Sequence, residues 1–363
     1  MKILFVHPSV ELYGADKILL YILQILNNEK NDITVLLPNE GVLIEYIKKI
    51  SSNITIIVDK RLPIAHSKLG LKDYCLLPKR ISEVGKVFKK NSFDYIYCNT
   101  LAVTLLLFTN WSKKRIIHVH EIIENPILNF IFSVLVRIRT RKVICVSNRV
   151  KENLHFSKHY SVVHNGIPDE VKHVLQNEVG DTIQFVLPGR YMPKKGQWFV
   201  LDALHLLPQE YLSKIHISFF GSAPPNRKEF QCELENKIYE SGLSNVVSLH
   251  AFEKDISKIY IKANVILVPS LMPDPFPTTV LESLMFSRPV ISTNHGGAAE
   301  ILSEKYSFLI SPNDIEALAA ALRFFVDNCN QIPRMSEFAR EKYEDYLTEQ
   351  KFAQRFKTIF TNY

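Results

Sequence analysis

The stretch Ala263-Asn-Val-Ile-Leu-Val-Pro-Ser-Leu-Met-Pro-Asp274-Pro-Phe-Pro-Thr-Thr-Val-Leu-Glu282 decides how this chain is read. Ala263–Val268 is a short apolar run of strand character. A Pro-rich loop then carries Asp274 directly into a helix start, and Glu282 sits in the next turn. The N–H groups of Thr278, Thr279 and Val280 are expected to be open, because a helix's first turn has no internal acceptors for them. Such an end attracts phosphate through its donors and its dipole. Two carboxylates suited to sugar hydroxyls beside that end describe a site for a sugar phosphate or a nucleotide. The plainer alternative is an Asp in a turn and a Glu on the surface.

Working outward, the same strand-then-helix unit recurs along the whole chain. Lys2–Val6, Ile33–Leu37, Ile54–Val58, Tyr95–Cys98, Arg115–Val119 and Lys142–Val146 are strand candidates with helical segments between most of them. Val162–His164 runs into the turn signal Asn165-Gly166. Alternation restarts with Thr182–Leu187, Ile215–Phe220, Val246–Leu249, Ala263–Val268, Pro289–Ser292 and Phe308–Ile310. Helices are predicted over Gly196–Leu207, Glu229–Ser241, Asp314–Asn328 and Pro333–Phe360. This pattern predicts crossover connections and parallel sheets. The fold class is therefore α/β, with two facing Rossmann-like doubly wound domains and an interdomain cleft where ligands bind beyond the strands' C-terminal ends. The polar stretch Gln176–Asp181 marks the junction region. The division is residues 1–172, residues 173–345, and a closing helical segment 346–363 that packs back toward the first domain.

A chain of 363 residues is long for a single core, in agreement with two domains. The five cysteines are scattered, with no Cys-x-x-Cys pair, which points to reduced thiols and away from disulfide scaffolds and zinc sites. Met1-Lys-Ile-Leu-Phe-Val leads straight into a strand, with no signal segment expected. The apolar run Pro126–Val136 is about half of the ~20 residues that span a bilayer. A cytoplasmic location follows as the expectation. Residues 1–180 hold 25 Lys/Arg against 16 Asp/Glu, and the remainder 19 against 21. A basic first half suggests an anionic partner for that half. Without the basic–aromatic interleaving of nucleic-acid modules, that partner is not read as nucleic acid.

Pro188-Gly189-Arg190 ends the first strand of the second domain, and Pro193-Lys194-Lys195-Gly196 follows. Two cations ahead of a helix suit a diphosphate, Arg190 as a bidentate fork and Lys195 as a point charge. A basic surface turn is the other reading. In Tyr13-Gly14-Ala15-Asp16 small residues permit close backbone approach to a ligand, or else form a turn capped by Asp16. His118 and His120 share one strand face, which a metal could use, though strand-end histidines need no ligand. In Asn294-His-Gly296-Gly297 the paired glycines turn backbone amides toward a ligand, or make a plain turn. Asn125-Pro126 reads as a cap and first residue of a helix. The apolar Ile127–Val136 that follows, with Arg137, Arg139, Arg141 and Lys142 behind it, is either core or an interfacial membrane contact.

In this order the segments resemble the retaining glycosyltransferase family 4, bacterial cell-surface polysaccharide type, which shares the GT-B fold. Asp274…Glu282 is similar to that family's Glu-x7-Glu motif, with Asp for the first Glu. The resemblance places Glu282 on the nucleotide ribose and Asp274 near the sugar hydroxyls. It makes Arg190 and Lys195 the diphosphate pair, Gly14 the small residue of the first loop, and His120 the histidine near the transferred sugar. Catalytic positions are then His120, Arg190, Lys195 and Asp274. Donor-binding positions are Gly14, Gly189, Phe276, Pro277, Thr278, Thr279 and Glu282, with no metal. Asn165-Gly166-Ile167 matches the family's Asn-Gly motif. Departures are Tyr13 for a loop glycine, His250 for a strand-end glycine, and the shorter Asp274.

The implied reaction moves a sugar from a UDP-, GDP- or dTDP-sugar to a saccharide acceptor with retained configuration. The leaving phosphate takes the acceptor's proton, and Arg190, Lys195 and the helix end stabilise the departing charge. No other cofactor is implied. The basic first half and the Asn125–Lys142 segment suggest an undecaprenyl-diphosphate-linked acceptor, in O-antigen, capsule or exopolysaccharide synthesis, at the inner face of the cell membrane. Competing readings are a nucleotide-sugar epimerase on the same fold, which needs an acid/base carboxylate set not visible in the first domain, and a non-catalytic sugar-nucleotide-binding protein.

Overall fold

The computed structural model describes residues 1–12, 14–64, 78–85, 92–108, 114–171 and 177–361. Tyr13, Gln176 and one of the five cysteines, Cys75, lie outside the described residues. The chain forms two compact units, residues 1–165 with 352–363, and residues 166–351.

The first unit carries a seven-stranded sheet of order β3-β2-β1-β4-β5-β6-β7. Its strands are β1 (Lys2–Val6), β2 (Asp32–Leu37), β3 (Thr55–Val58), β4 (Tyr95–Asn99), β5 (Lys114–Val119), β6 (Lys142–Cys145) and β7 (Ser161–Val162). Every pairing is parallel, with Ile3 opposite Ile33 on one side and Tyr95 on the other. The second unit carries a six-stranded parallel sheet of order β10-β9-β8-β11-β12-β13. These strands are β8 (Ile183–Pro188), β9 (Ile215–Phe220), β10 (Val247–His250), β11 (Val265–Val268), β12 (Val290–Thr293) and β13 (Ser307–Ile310). Parallel strands covered on both faces read as continuous apolar runs. That is why Phe5, Val35, Val186, Leu267 and Ile291 are all buried.

Helices pack on these sheets by apolar stripes at helical spacing. Helix α1 (Gly14–Asn28) buries Ile18, Leu19, Ile22, Leu23 and Leu26. The other helices that matter for the site are α2 (Pro126–Arg139), α3 (Gln197–Leu204), α4 (Thr278–Met285) and α5 (Glu349–Thr361). Helix α5 puts Phe352, Phe356 and Phe360 into the core of the first unit, with Ile3, Phe5 and Tyr97. The single helix predicted over Pro333–Phe360 is instead interrupted. Ile332–Lys342 is followed by a wide turn at Tyr343–Leu347, and Thr348 is extended with φ −67° and ψ 156°. The break follows from pairing with Ile167, which donates its N–H to the Leu347 carbonyl and accepts from the Glu349 N–H, each at 2.9 Å.

In both sheets the strand order reverses once, between β1 and β4 in the first and between β8 and β11 in the second. Crossover helices leave such a switch point on opposite faces, so the strands' C-terminal ends open a crevice there.

Candidate active site

The second unit's switch point gathers the predicted cations and carboxylates. Gly189 and Arg190 follow β8, and the Asp274 loop follows β11. Gly189 donates its N–H to Phe220 at 2.9 Å, and a Cβ on Gly221 would lie 2.1 Å from the Gly189 carbonyl oxygen. Tyr191 locks the same corner, its buried hydroxyl donating to the Phe219 carbonyl at 2.9 Å. Arg190 is exposed, and its carbonyl accepts from Gln197 Nε2 of α3 at 2.9 Å. A short 3-10 turn, Pro193–Lys195, ends at Gly196, whose φ of +87° lies in the left-handed region. A Cβ there would come 2.1 Å from the Pro269 carbonyl oxygen, so only glycine permits this approach of the two loops.

That approach has a direct electrostatic result. Lys195 Nζ donates to Asp274 Oδ2 at 3.2 Å, with the two side chains 31% and 28% exposed. Residues 79 apart in sequence thus form one ion pair. An anion binding at Lys195 would have to compete with this carboxylate. The Asp274 loop is itself clamped by the glycine pair. Gly297 donates its N–H to the Asp274 carbonyl at 2.9 Å, and Cβ atoms on Gly296 and Gly297 would lie 2.3 and 2.1 Å from the carbonyl oxygens of Asp274 and Pro275. The Gly297 amide is therefore spent on the loop and not offered to a ligand.

Helix α4 starts without a side-chain cap, Pro277 being its N-cap. The prediction that the Val280 N–H stays open is corrected: it donates to the Pro277 carbonyl at 3.1 Å, because the first turn tightens in 3-10 fashion. Thr278 and Thr279 are half-buried in that turn. Phe276 is buried, 5% exposed, so its ring belongs to the packing under the loop. Glu282 is held by a residue that the sequence reading passed over. The Tyr260 hydroxyl, 0% exposed, donates to Glu282 Oε2 at 2.7 Å. Its ring stacks on Phe286 at 5.2 Å and 9°. Burial and then the neighbouring Glu282 charge push the Tyr260 phenol well above its ordinary value, so it stays a donor.

The first unit's switch point carries Gly14, His120 and a polar chain not anticipated. Gly14 opens α1, and His7 follows β1. Asp16 is no simple cap: its carboxylate accepts from His7 Nε2 at 2.5 Å, with both side chains no more than 2% exposed. Asn99, at the end of β4, reaches His7 Nδ1 with Nδ2 at 2.9 Å and His120 Nε2 with Oδ1 at 3.0 Å. Burial, then the nearby His118 and His7, hold the His120 imidazole well below its usual value. His118 packs against His120 with ring centroids 4.1 Å apart and planes tilted by 49°, meets the Tyr97 hydroxyl at 2.9 Å through Nδ1, and is driven by burial down to about 3. Glu121 accepts the Leu101 and His120 N–H groups, and burial raises its pKa. Among the described residues no three His, Cys, Asp or Glu side chains group as a metal site. The one signal for His7 and Asn99 was positional: each ends a strand at the point where the order reverses.

Helix α2 is capped as predicted, the Asn125 side chain accepting from the Ile127 and Leu128 N–H groups. Its inner face buries Asn129, Ser133, Leu135 and Val136. Ile127, Leu128, Phe130, Ile131 and Ile138 remain exposed, on a helix whose last turn carries Arg137 and Arg139. Among the described residues no helix is long and apolar enough to cross a membrane.

Two Rossmann-like domains, each carrying its polar groups at a switch point, define a protein of the GT-B class. The profile described as Glycosyltransferase Family 4 matches residues 14–171, and that described as Glycosyl transferases group 1 matches residues 169–342. The chain belongs to glycosyltransferase family 4. It is 27% identical over 250 residues to the glycosyltransferase MJ1178 of Methanocaldococcus jannaschii, covering 64% of this chain and 67% of that one. It is 27% identical over 187 residues to the O-antigen chain mannosyltransferase C of Escherichia coli, covering 50% of this chain and 47% of that one, less than half the relative's length. Among solved structures, Anabaena HepE in complex with UDP and glucose superposes with a TM-score of 0.79 over 100% of both chains at 19% identity.

Proposed function

We propose that this chain transfers a sugar from a nucleoside-diphosphate sugar to a saccharide acceptor, with the anomeric configuration kept, during synthesis of a bacterial surface polysaccharide. The observation that carries the donor side is the Lys195–Asp274 ion pair at the switch point beside the uncapped end of α4. In the proposed step the bond from the anomeric carbon to the phosphate oxygen breaks. A new bond forms to the acceptor oxygen on the same face, and the acceptor's proton goes to the departing diphosphate. Arg190, Lys195 and the α4 dipole oppose the charge that builds on that group. Asp274, released from Lys195, takes sugar hydroxyls, and Glu282 takes the ribose. Gly14, Gly189, Pro277, Thr278 and Thr279 supply close backbone approach, and the two cations make a metal unnecessary. The relative named for O-antigen synthesis and the UDP-bound neighbour support this reading.

The acceptor side rests on α2. Exposed Ile127, Phe130 and Ile131 on a helix that ends in Arg137 and Arg139 suit an anionic membrane surface, and hence a lipid-diphosphate-linked acceptor at its inner face. Flotation with phosphatidylglycerol vesicles is expected to recover the protein, less so at high salt, and not with Ile131→Glu. A thermal-shift panel of UDP-, GDP- and dTDP-sugars identifies the donor. Release of nucleoside diphosphate on adding acceptor separates transfer from epimerisation, which releases none, and from a sensor, which binds without turnover. Arg190→Ala or Asp274→Ala with undiminished turnover overturns the donor-site assignment.

A further inference from the structure

We infer that Asp16, His7 and Asn99 form a positioning chain that fixes His120 in one tautomer, with Nε2 protonated and Nδ1 presented as a bare acceptor for a substrate hydroxyl. The assignment starts from two groups that can only accept. Ala15 offers a carbonyl to Asn99 Nδ2 at 3.4 Å, so the amide nitrogen of Asn99 must face that side. The same nitrogen lies 2.9 Å from His7 Nδ1, which therefore accepts. His7 then carries its proton on Nε2, where the Asp16 carboxylate receives it. With the amide orientation settled, Asn99 Oδ1 faces His120 Nε2 at 3.0 Å. A carbonyl oxygen cannot donate, so the hydrogen sits on His120 Nε2. Nδ1 is left with its lone pair, and among the described residues it takes no hydrogen bond. Burial keeps the ring neutral, the direction already noted for His120.

The chemical consequence is specific. A neutral imidazole with a fixed acceptor nitrogen recognises a hydroxyl as donor, so the substrate presents a free hydroxyl here and a deoxy analogue is rejected. Asn99 and His7 touch no substrate; they act through His120. Because the chain begins at Asp16 in the first turn of α1, it also ties the Gly14 loop to the ring. The hydroxyl's identity as part of a sugar rests on the transfer reading above, whereas the tautomer does not.

The test separates the two. On the wild-type protein labelled with 15N-histidine, the His120 signals, identified by their loss in His120→Gln, are expected at neutral pH as a protonated Nε2 and an unprotonated Nδ1. A protonated Nδ1 overturns the inference whatever the activity. In Asn99→Ala the two nitrogens are expected to approach averaged shifts. Turnover should fall by about tenfold to a hundredfold, with the nucleotide's thermal shift unchanged and discrimination against a deoxy donor lost. Asp16→Asn is expected to move the His120 signals in the same direction. Unchanged His120 signals in both variants also overturn it.

Discussion

At the residue scale the site is organised by charges that satisfy one another before any ligand arrives. Lys195 is paired with Asp274, and Glu282 accepts a hydrogen bond from a buried phenol, so each carboxylate has a partner within the protein. Tyr260→Phe keeps the ring stacked on Phe286 and removes only the donor to Glu282. A hydrogen bond to a charged group contributes about 1.5–3 kcal/mol, so the variant is expected to bind the nucleotide about tenfold more weakly by calorimetry, with far-UV dichroism unchanged. His118 gives a pH prediction. Its folded pKa is about 3, below the ordinary histidine value near 6.5. As pH falls below that ordinary value, the unfolded chain takes up a proton that the folded protein refuses. Stability is therefore intact above about pH 6.5 and declines below it by about 1.4 kcal/mol per pH unit for this group. Urea midpoints at pH 7.5 and 5.5 should show the decline, and His118→Gln should flatten it.

At the element scale, loops at the switch points are placed by close backbone approach. Gly196 in the left-handed region, against Pro269, fixes where Lys195 stands relative to Asp274. Gly196→Ala brings both an unfavourable φ and a clash, and is expected to lower stability by more than about 1 kcal/mol. It should also abolish the nucleotide's thermal shift, because the Lys195 turn must move. Elements themselves were legible. β1 and β9 fall on their predicted residues, β1 because it is apolar and buried along its length after Lys2, β9 because buried Ile215, Ile217 and Phe219 alternate with half-buried residues. The Thr348 break was not legible, because it answers to Ile167, far away in sequence.

At the scale of the whole molecule, the chain's end is part of the first unit's core. Phe352, Phe356 and Phe360 are 0%, 0% and 2% exposed, with Phe356 and Phe360 stacked at 5.5 Å. Phe356→Ala is expected to cost about 3–5 kcal/mol, measured as a lower denaturant midpoint. The sequence by itself determined the α/β alternation, the two-sheet architecture, the family, and the residue types of the candidate site, because these reside in local periodicity and short motifs. The tertiary structure alone decided which groups meet: Lys195 with Asp274, Tyr260 with Glu282, and His120 with Asn99, His7 and Asp16. Those pairings join loops, helices and strand ends that are separate in the sequence. Strand order, which no local pattern encodes, brings β1 beside β4 and β8 beside β11.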